Sequence, residues 1–467
     1  MSFFKKHSNI FAIILSVICY FFFAYYTERT KFYAVSFLWF SLFGLFYLLL
    51  KNKNSSFTIL VVIAVLFRFI FLFATPNLSQ DFYRFIWDGR MLLNGFNPYL
   101  SLPETFVQQN LQPIAETATL YNGMGELNGS HYTNYPPLNQ LCFLIAALFA
   151  GKSIFGSVLV LRSIIILADI GILYFGKKLL ERLNLPIKNI FWYFLNPFII
   201  IEMTGNLHFE PVMLFFLVWA LYKLHQQKWI FAAILIACAV SMKLIPLLFL
   251  PLFFQWFVNK NDHKQGEKPQ SQNKQTSSKN LAFKILKLSL FYLIILTFTL
   301  LFFFPFYHSE LIANYSNSIG LWFRTFEFNA SFYYIFREIG YTFRGYNEIA
   351  FIGKITPVLT ILFLLYLSFF KQNKNIPQLM TAMLFGLCFY YFTATTVHPW
   401  YLATPLILCV FTKYKFPIVW SLVIILTYQA YANNPWQENL WFVFIEYLIM
   451  YSFLIFEVFQ QLKLKKM

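Results

Sequence analysis

Apolar runs close to the thickness of a lipid bilayer recur along the chain, and they constrain its fold more than any other feature. A helix needs about 20 apolar residues to cross the hydrocarbon core of a bilayer. Of the 467 residues, 59% are hydrophobic and only 12% are charged. This composition excludes an ordinary soluble domain and predicts an all-α, polytopic transmembrane helical bundle with about 11 to 13 spans.

The predicted spans follow the apolar runs, and the shorter ones are expected to extend into the membrane interface. They are 10–26, 33–50, 57–74, 154–175, 189–201, 211–224, 281–304, 349–370, 377–394, 402–412, 416–432 and 440–460. Two other runs, 136–150 and 229–258, are predicted to enter the membrane and return, the second as two short helices with Lys243 near the turn. Broken helices at membrane depth need a covering of protein or a watery cavity, so both runs indicate a cavity on the external side.

Lysines mark one side of these spans, and that side is predicted to be cytoplasmic because positive loops stay inside. The net charge of +17 is then explained by the orientation of the chain in the membrane rather than by binding of nucleic acid. Two large loops, 75–135 and 305–346, are predicted to be external. The second contains two stretches with helical apolar spacing, 310–323 and 330–343, which we predict to be interfacial helices. The polar stretch 259–280 is predicted to be a disordered cytoplasmic loop.

Charged residues at the start of the first large loop form the principal candidate site. Asp81, Arg84 and Asp88 share one face of a helix predicted over 79–94, because their spacings are three and four. Asp81 is either a carboxylate favoured by the helix dipole or a general base beside the cavity. Asp88 lies close to both Arg84 and Arg90 and is interpreted as a paired, structural acid.

Several arginines lie in the predicted external segments, unlike most of the lysines, and a guanidinium suits phosphate recognition. They are Arg29, Arg84, Arg90, Arg324, Arg337 and Arg344. The alternative is that these side chains only reach toward lipid headgroups. Arg68 is different, since it lies inside an apolar run, where a charge is costly and usually functional. Arg162 and Asp169 are seven residues apart on one helical face and are predicted to form a structural pair.

Further polar and aromatic residues fall on the same predicted external side as Asp81. Those with candidate roles in substrate binding are Glu202, His208, Glu210, His398, Trp400 and Tyr401. A metal bound by His208 and Glu210 with Glu202 is one interpretation of the first three, but the pattern is weak. An aromatic belt at the membrane interface is the alternative for Trp400 and Tyr401.

Six segments in order resemble the GT-C superfamily of integral-membrane glycosyltransferases. They are "QDFYRFIWDGRMLLNGFNPY", "YPPLNQ", "NPFIIIEMTGNLHFEP", "SMKLIPLLFLP", "FNASFYYIFREIG" and "HPWYLATPL". Within it, the chain is most similar to the bacterial polyprenyl-phosphate-mannose-dependent mannosyltransferases. The likeness extends from about Asn77 to Leu408, and it implies one integral-membrane domain, 1–467, in a bacterial inner membrane.

The resemblance implies a polyprenyl-phosphate sugar donor, an acceptor bound from the external side, and inversion by direct displacement. It places the catalytic acid at Asp81 and basic residues for the donor phosphate at Lys243 and Arg337. The predicted substrate-binding residues are then Arg68, Arg84, Asp88, Glu202, His208, Glu210, Lys243, Arg337, His398, Trp400 and Tyr401. The chain departs from the family in two ways: its acidic loop follows the third span rather than the first, and 79–83 lacks an Asp-x-Asp or Glu-x-Asp pair.

Alternative functions and ligands stay open from the sequence. A transporter or flippase would also contain broken helices and buried charges, although its polar lining would lie at the midplane. A lipid-linked glycan ligase or polymerase would share the large external loops and arginines. The expected acceptor is a glycolipid, a glycan or a protein, and membrane lipids are expected partners but nucleic acid is not. No cofactor is predicted. A divalent metal stays an open alternative, although the missing paired acids argue against a metal at Asp81.

Overall fold

Helices account for nearly all regular structure in the computed structural model, which describes residues 2–52, 55–258 and 274–466. Within those ranges, strand pairing is limited to one isolated parallel bridge between Phe328 and Thr396. The all-α prediction is therefore confirmed.

Among the described residues, the first half of the chain contains ten α-helices. They are α1 (Ser2–Tyr26), α2 (Phe32–Lys51), α3 (Phe57–Ile70), α4 (Asp81–Leu93), α5 (Pro103–Gln108), α6 (Thr117–Gly129), α7 (Pro137–Ala150), α8 (Ile154–Arg182), α9 (Phe191–Phe194) and α10 (Glu210–His225). A π-helical turn, Ile199–Gly205, precedes α10. The helix predicted over 79–94 is therefore present as α4.

Within the described ranges, the second half contains ten more. They are α11 (Trp229–Met242), α12 (Phe253–Val258), α13 (Lys274–Phe303), α14 (Leu311–Arg324), α15 (Phe332–Arg344), α16 (Ile349–Phe370), α17 (Ile376–Thr393), α18 (Ala403–Val410), α19 (Phe416–Val423) and α20 (Leu440–Lys466). The two helices predicted in 305–346 are confirmed as α14 and α15. Residues 259–273 of the predicted disordered loop lie outside the described residues. For 274–280 the prediction of a loop is wrong, because α13 begins at Lys274.

Side-chain caps fix the start of several apolar helices. The hydroxyl of Ser56 accepts a hydrogen bond from the backbone N–H of Ile59 at the start of α3. Ser153 does the same for Gly156 at the start of α8. These caps satisfy backbone donors that a helix leaves unpaired in its first turn, so they place the helix ends where the apolar runs begin.

Seven described helices are long and apolar enough to cross a bilayer, or eight if the bent pair Ile199–Gly205 and Glu210–His225 is one span. Six shorter apolar helices, of 10–17 residues, accompany them. The chain is a multi-pass membrane protein. The predicted count of 11 to 13 spans requires that most of the shorter helices also cross, and it stays a prediction.

Two interruptions in apolar segments open the interior of the bundle. The π-helical turn and α10 meet at an angle of 112° across 206–209. The run 229–258 is broken after Met242, where Lys243 adopts an extended conformation before a 3-10 segment, Ile245–Leu252. This confirms the predicted interruption at Lys243, whereas the return of the chain as a hairpin stays a prediction.

Close packing of α4 against α7 forms the floor of this region. A Cβ atom at Gly89 would lie 2.2 Å from the carbonyl oxygen of Phe143, so only glycine allows the two helices to approach this closely. The rings of Phe85 and Phe143 stack beside it with centroids 4.7 Å apart. The middle of α4 is therefore packed closely against the middle of α7.

Candidate active site

A cavity of about 840 Å³ lies where the ends of α4, α7, α10 and α11 meet. Its wall also includes residues from 398–404 and the segment after α19. Seven of the twelve predicted site residues border it: Asp81, His208, Glu210, Lys243, His398, Trp400 and Tyr401. The tertiary structure thus brings together residues that are more than 300 positions apart in the chain.

Asp81 is the first residue of α4, and its side chain borders the cavity. The helix is preceded by Gln80 as the N-cap residue, so Asp81 does not occupy the N-cap position. The side chain of Asn128 donates a hydrogen bond to Oδ1 of Asp81 over 3.4 Å. The hydrogen bond from Asn128 therefore orients the carboxylate, which also faces the cavity.

Burial raises the pKa of the Asp81 carboxyl above its ordinary value. The positive charge of Lys243 and the hydrogen bond from Asn128 lower the pKa in part, but burial has the larger effect. A carboxylate with a raised pKa binds a proton more strongly than a free aspartate, which suits a general base.

Lys243 faces the same cavity and is paired with Glu210. Its Nζ donates a hydrogen bond to Oε1 of Glu210, the first residue of α10. The Glu210 side chain is almost fully buried, whereas that of Lys243 is partly exposed. The lysine is thus a cation held in place by a buried acid, with part of its surface open to the cavity.

An aromatic stack forms the opposite wall. The ring centroid of Trp400 lies 4.0 Å from that of His208 on one face and 4.4 Å from that of His398 on the other. Burial and the charge of Lys243 lower the pKa of His398 to about 3. At neutral pH this imidazole is uncharged. It can accept or donate a hydrogen bond, but it does not carry the extra proton of an imidazolium that a general acid would donate.

Backbone pairing holds this stack in place. The N–H of Val397 donates to the carbonyl of Phe328 over 2.9 Å, and the N–H of Phe328 donates to Thr395 over 3.1 Å. The ring of Phe328 lies 5.4 Å from that of His398. The loop between α14 and α15 therefore positions the histidine, and the interpretation of Trp400 as only part of an aromatic belt is not supported.

Glu202 does not border the cavity and lies one layer behind His208. Its Oε1 accepts a 2.5 Å hydrogen bond from the hydroxyl of Tyr428, and its Oε2 lies 3.8 Å from Nε2 of His208. The predicted contact between Glu202 and substrate gains no support from this position and stays a prediction. No group of three His, Cys, Asp or Glu side chains suited to hold a metal ion occurs in the described ranges, so the metal interpretation gains no support.

Arg68 was expected to contact the donor, but it is fully buried away from the cavity. Its Nε donates to Oδ2 of Asp169 over 2.9 Å, and its Nη1 donates to the carbonyl of Phe194 over 2.7 Å. The predicted pair between Arg162 and Asp169 is wrong for the same reason. Arg162 instead binds backbone carbonyls at the break before α10, including that of Gly205 at 2.9 Å.

Arg84 and Asp88 are also absent from the cavity wall, so their predicted contact with substrate gains no support here and stays a prediction. They form the expected structural pair, with Nε of Arg84 2.8 Å from Oδ1 of Asp88. The side chain of Gln140 donates to the other oxygen of Asp88 over 3.0 Å. This network joins α4 to α7 behind Asp81.

Arg337 lies on α15 and does not border the cavity. It forms ion pairs with Glu327 at 2.6 Å and with Glu338 at 3.0 Å. Two nearby acids already neutralise its charge, so the predicted contact with the donor phosphate gains no support here and stays a prediction.

Several cavity residues were not among the twelve predicted site residues, although Arg29 was noted as an external arginine. Arg29 donates to Oε1 of Gln80 over 2.8 Å and lies over the ring of Tyr431 at 4.9 Å. Trp436 and Asn139 also border the cavity. The positions of Arg29 and of Asn139, within "YPPLNQ", were visible, but nothing in their spacing indicated that they meet Asp81.

One side of the cavity is apolar and reaches the protein surface. It is bordered by Leu244, Ile245, Leu247, Leu248, Pro357 and Ile361. Leu247 and Ile361 are exposed as well, so the cavity opens between the 3-10 segment and α16. In a membrane-embedded bundle this opening faces lipid.

A family model described as "Alpha-(1->6)-mannopyranosyltransferase, N-terminal domain" matches residues 21–259, just over half of the chain. The chain belongs to this family. The matched region contains Asp81, Glu210 and Lys243. A curated relative, alpha-(1->6)-mannopyranosyltransferase A of Corynebacterium glutamicum, is 27% identical over 189 residues. That match covers 40% of this chain and only 36% of the relative, so the chain matches about a third of its length.

Proposed function

We propose that this protein transfers a mannosyl group from a polyprenyl-phosphate donor to a hydroxyl of an acceptor on the external face of a bacterial inner membrane. The family supports the reaction class. The observation that carries the proposal is that a carboxylate, Asp81, and a cation, Lys243, border one cavity that opens at the protein surface beside the apolar helix α16.

The reaction is a direct displacement at the anomeric carbon. Asp81 takes the proton of the acceptor hydroxyl as its oxygen attacks that carbon. The bond between the anomeric carbon and the phosphate oxygen breaks, and the polyprenyl phosphate leaves with the electron pair. Lys243 stabilises the charge on the leaving phosphate, and one displacement inverts the anomeric configuration.

The two sides of the cavity suit the two substrates. The apolar opening beside Leu247 and Ile361 accommodates the first isoprene units of the donor, with the phosphate next to Lys243. The aromatic and polar mouth near Arg29, Tyr431 and Trp436 then admits the acceptor. An acceptor arriving there meets Asp81 from the side opposite the lipid.

The external orientation rests on the distribution of lysines, which lie mostly in loops on the other side of the spans. A lipid-linked donor fits that orientation, because a sugar carried on a polyprenyl phosphate needs no soluble nucleotide at the reaction site. The acceptor is a glycolipid, a glycan or a protein.

The experiment is transfer of labelled mannose from polyprenyl-phosphate mannose in membranes that contain the full-length protein. Wild-type membranes should form a labelled product, and membranes with Asp81→Asn should form about a hundredfold less. Equal labelling with the variant, or transfer only from a nucleotide sugar, would contradict the proposal.

A further inference from the structure

Asn139 is a buried side chain on the cavity wall whose polar atoms the protein does not use. It is 0% exposed, and neither its Nδ2 nor its Oδ1 has a hydrogen-bond partner within the described ranges. Burying an amide without partners costs free energy, so nearly all buried polar side chains are paired. Partners for both atoms of Asn139 must therefore come from outside the described protein, as water or as a ligand bound in the cavity.

The neighbouring amide differs from Asn139 in having one of its two polar atoms paired by the protein. Gln140 is also fully buried, and its Nε2 donates to Asp88 at 3.0 Å and to Thr133 at 2.9 Å, whereas its Oε1 has no partner within the described ranges. Gln140 points away from the cavity and is part of the network behind α4. Asn139 borders the cavity instead, although the two amides are adjacent in sequence.

The position of Asn139 relates it to the reacting groups. It lies in the first turn of α7, which packs against α4 and against α11. The first residue of α4 is Asp81, and α11 ends immediately before Lys243. Asn139 therefore borders the same cavity as both groups, on a helix that packs against the helix that begins at Asp81 and against the helix that ends before Lys243.

This part of the cavity must hold the transferred sugar if the proposed function is correct. In a direct displacement the acceptor oxygen attacks one side of the anomeric carbon and the phosphate leaves from the other. With the base at Asp81 and the phosphate at Lys243, the sugar ring lies between them. We propose that Asn139 binds two adjacent hydroxyls of this sugar and is a specificity-determining residue.

The chemistry of the two partners matches. A primary amide presents an N–H donor and a carbonyl acceptor side by side, and neighbouring ring hydroxyls can each donate and accept a hydrogen bond. A site that pairs a substrate hydroxyl discriminates strongly against an analogue that lacks it, because the protein atoms are then left unpaired. An apolar wall would discriminate much less.

The test uses purified full-length protein and synthetic polyprenyl-phosphate mannose donors that each lack one ring hydroxyl. The wild type should lose about tenfold or more in kcat/KM with donors modified at two neighbouring positions. Asn139→Ala should lower kcat/KM for the complete donor. With this variant, kcat/KM for the same deoxy donors should be only slightly lower than its kcat/KM for the complete donor. This non-additivity measures the contact between Asn139 and those hydroxyls.

Two comparisons separate this role from a structural one. Asn196 is a fully buried asparagine outside the cavity wall, and its side chain binds Ser421 at 3.2 Å and the N–H of Phe198 at 2.9 Å. Asn196→Ala should lower the melting temperature and keep the wild-type discrimination. Asn139→Ala removes no protein hydrogen bond, and Asn139→Ser provides a second, smaller change if the alanine variant folds poorly.

Each outcome decides a different claim. If the wild type uses the complete donor and every deoxy donor equally well, water alone satisfies Asn139 and the inference is overturned. The same conclusion follows if the Asn139 variants keep the wild-type discrimination, and in both cases the proposed function stands. If the wild type does not transfer mannose from the complete donor, the proposed function itself fails, and the inference fails with it.

Discussion

The Nε atom of Arg68 lies 2.9 Å from Oδ2 of Asp169, and both side chains are completely buried. The contact joins α3 to α8 across a sequence separation of 101 residues. A buried charge without its partner is strongly unfavourable, whereas a matched pair is tolerated. Arg68 is therefore a structural residue of the bundle, even though an intramembrane arginine is usually a sign of function.

Breaking this pair should destabilise the protein rather than change its substrate affinity. Arg68→Met leaves Asp169 buried and unpaired, and should cost about 3–5 kcal/mol of stability. The double variant Arg68→Met/Asp169→Leu should lose less than Arg68→Met alone, because no isolated charge is left. The apparent melting temperature in detergent measures both effects, and a double variant less stable than both single variants would contradict this explanation.

Asp81→Asn should reduce turnover by about a hundredfold or more, because it removes a positioned base. Its melting temperature should stay close to that of the wild type. Burial raises the pKa of Asp81, so folding disfavours the ionised carboxylate, and a neutral amide avoids that cost. Steady-state transfer and thermal unfolding of the same preparation test both statements.

Asp88→Asn is the matched control for Asp81→Asn, since both acids lie on α4. Asp88 is fully buried and accepts hydrogen bonds from Arg84 and Gln140. Its neutralisation should lower the melting temperature while the folded fraction keeps most of its turnover. A stable Asp88→Asn protein without activity would move the catalytic assignment along the helix.

The pH dependence of kcat/KM should show an acid limb caused by Asp81. The base must be deprotonated, so activity falls as the pH drops through its pKa, which burial raises above the value of about 3.9 for a free aspartate. The charge of Lys243 lowers this pKa. Lys243→Gln should therefore shift the limb to higher pH, and an unshifted or downward-shifted limb would show that the two side chains do not interact as described.

Lys243, Arg68 and Arg337 were predicted to bind phosphate, and substitutions of Lys243 and of Arg337 should now have different effects on the donor KM. Lys243→Gln should raise the KM for the polyprenyl-phosphate donor, since Lys243 is the one of the three that borders the cavity. Arg337→Gln should leave the donor KM unchanged because Arg337 is paired with Glu327 and Glu338. Kinetics at saturating acceptor test this, and equal effects of the two substitutions would be inconsistent with the structure.

The orientation of the chain can be tested by cysteine labelling after the five native cysteines are replaced. Gln109 and Gln372 are both exposed, the first in the predicted external loop 75–135 and the second between α16 and α17. A membrane-impermeant maleimide should label Gln109→Cys in intact cells, but Gln372→Cys only after lysis. The reverse pattern would invert the predicted topology.

The sequence alone determined the fold class, the approximate positions of most helices and the interruption at Lys243. Each of these depends on local signals, since the length of an apolar run, a capping serine or a charge inside an apolar stretch acts over a few residues. The same signals identified Asp81, Lys243 and the stretch His398–Tyr401 as candidates, because polar residues at helix ends in an apolar chain are few.

The tertiary structure decided which of these candidates share a cavity. Arg68 and Arg337, like Lys243, are basic residues predicted from the sequence to lie at or near the external cavity. In the structure, Arg68 is paired with Asp169 and Arg337 with Glu327. An ion pair between distant helices depends on how those helices pack, and the spacing of residues along one helix does not contain that information. For the same reason only the packing of α7 against α4 and α11 placed Asn139 beside the cavity, with both polar atoms of its buried amide unused by the described protein.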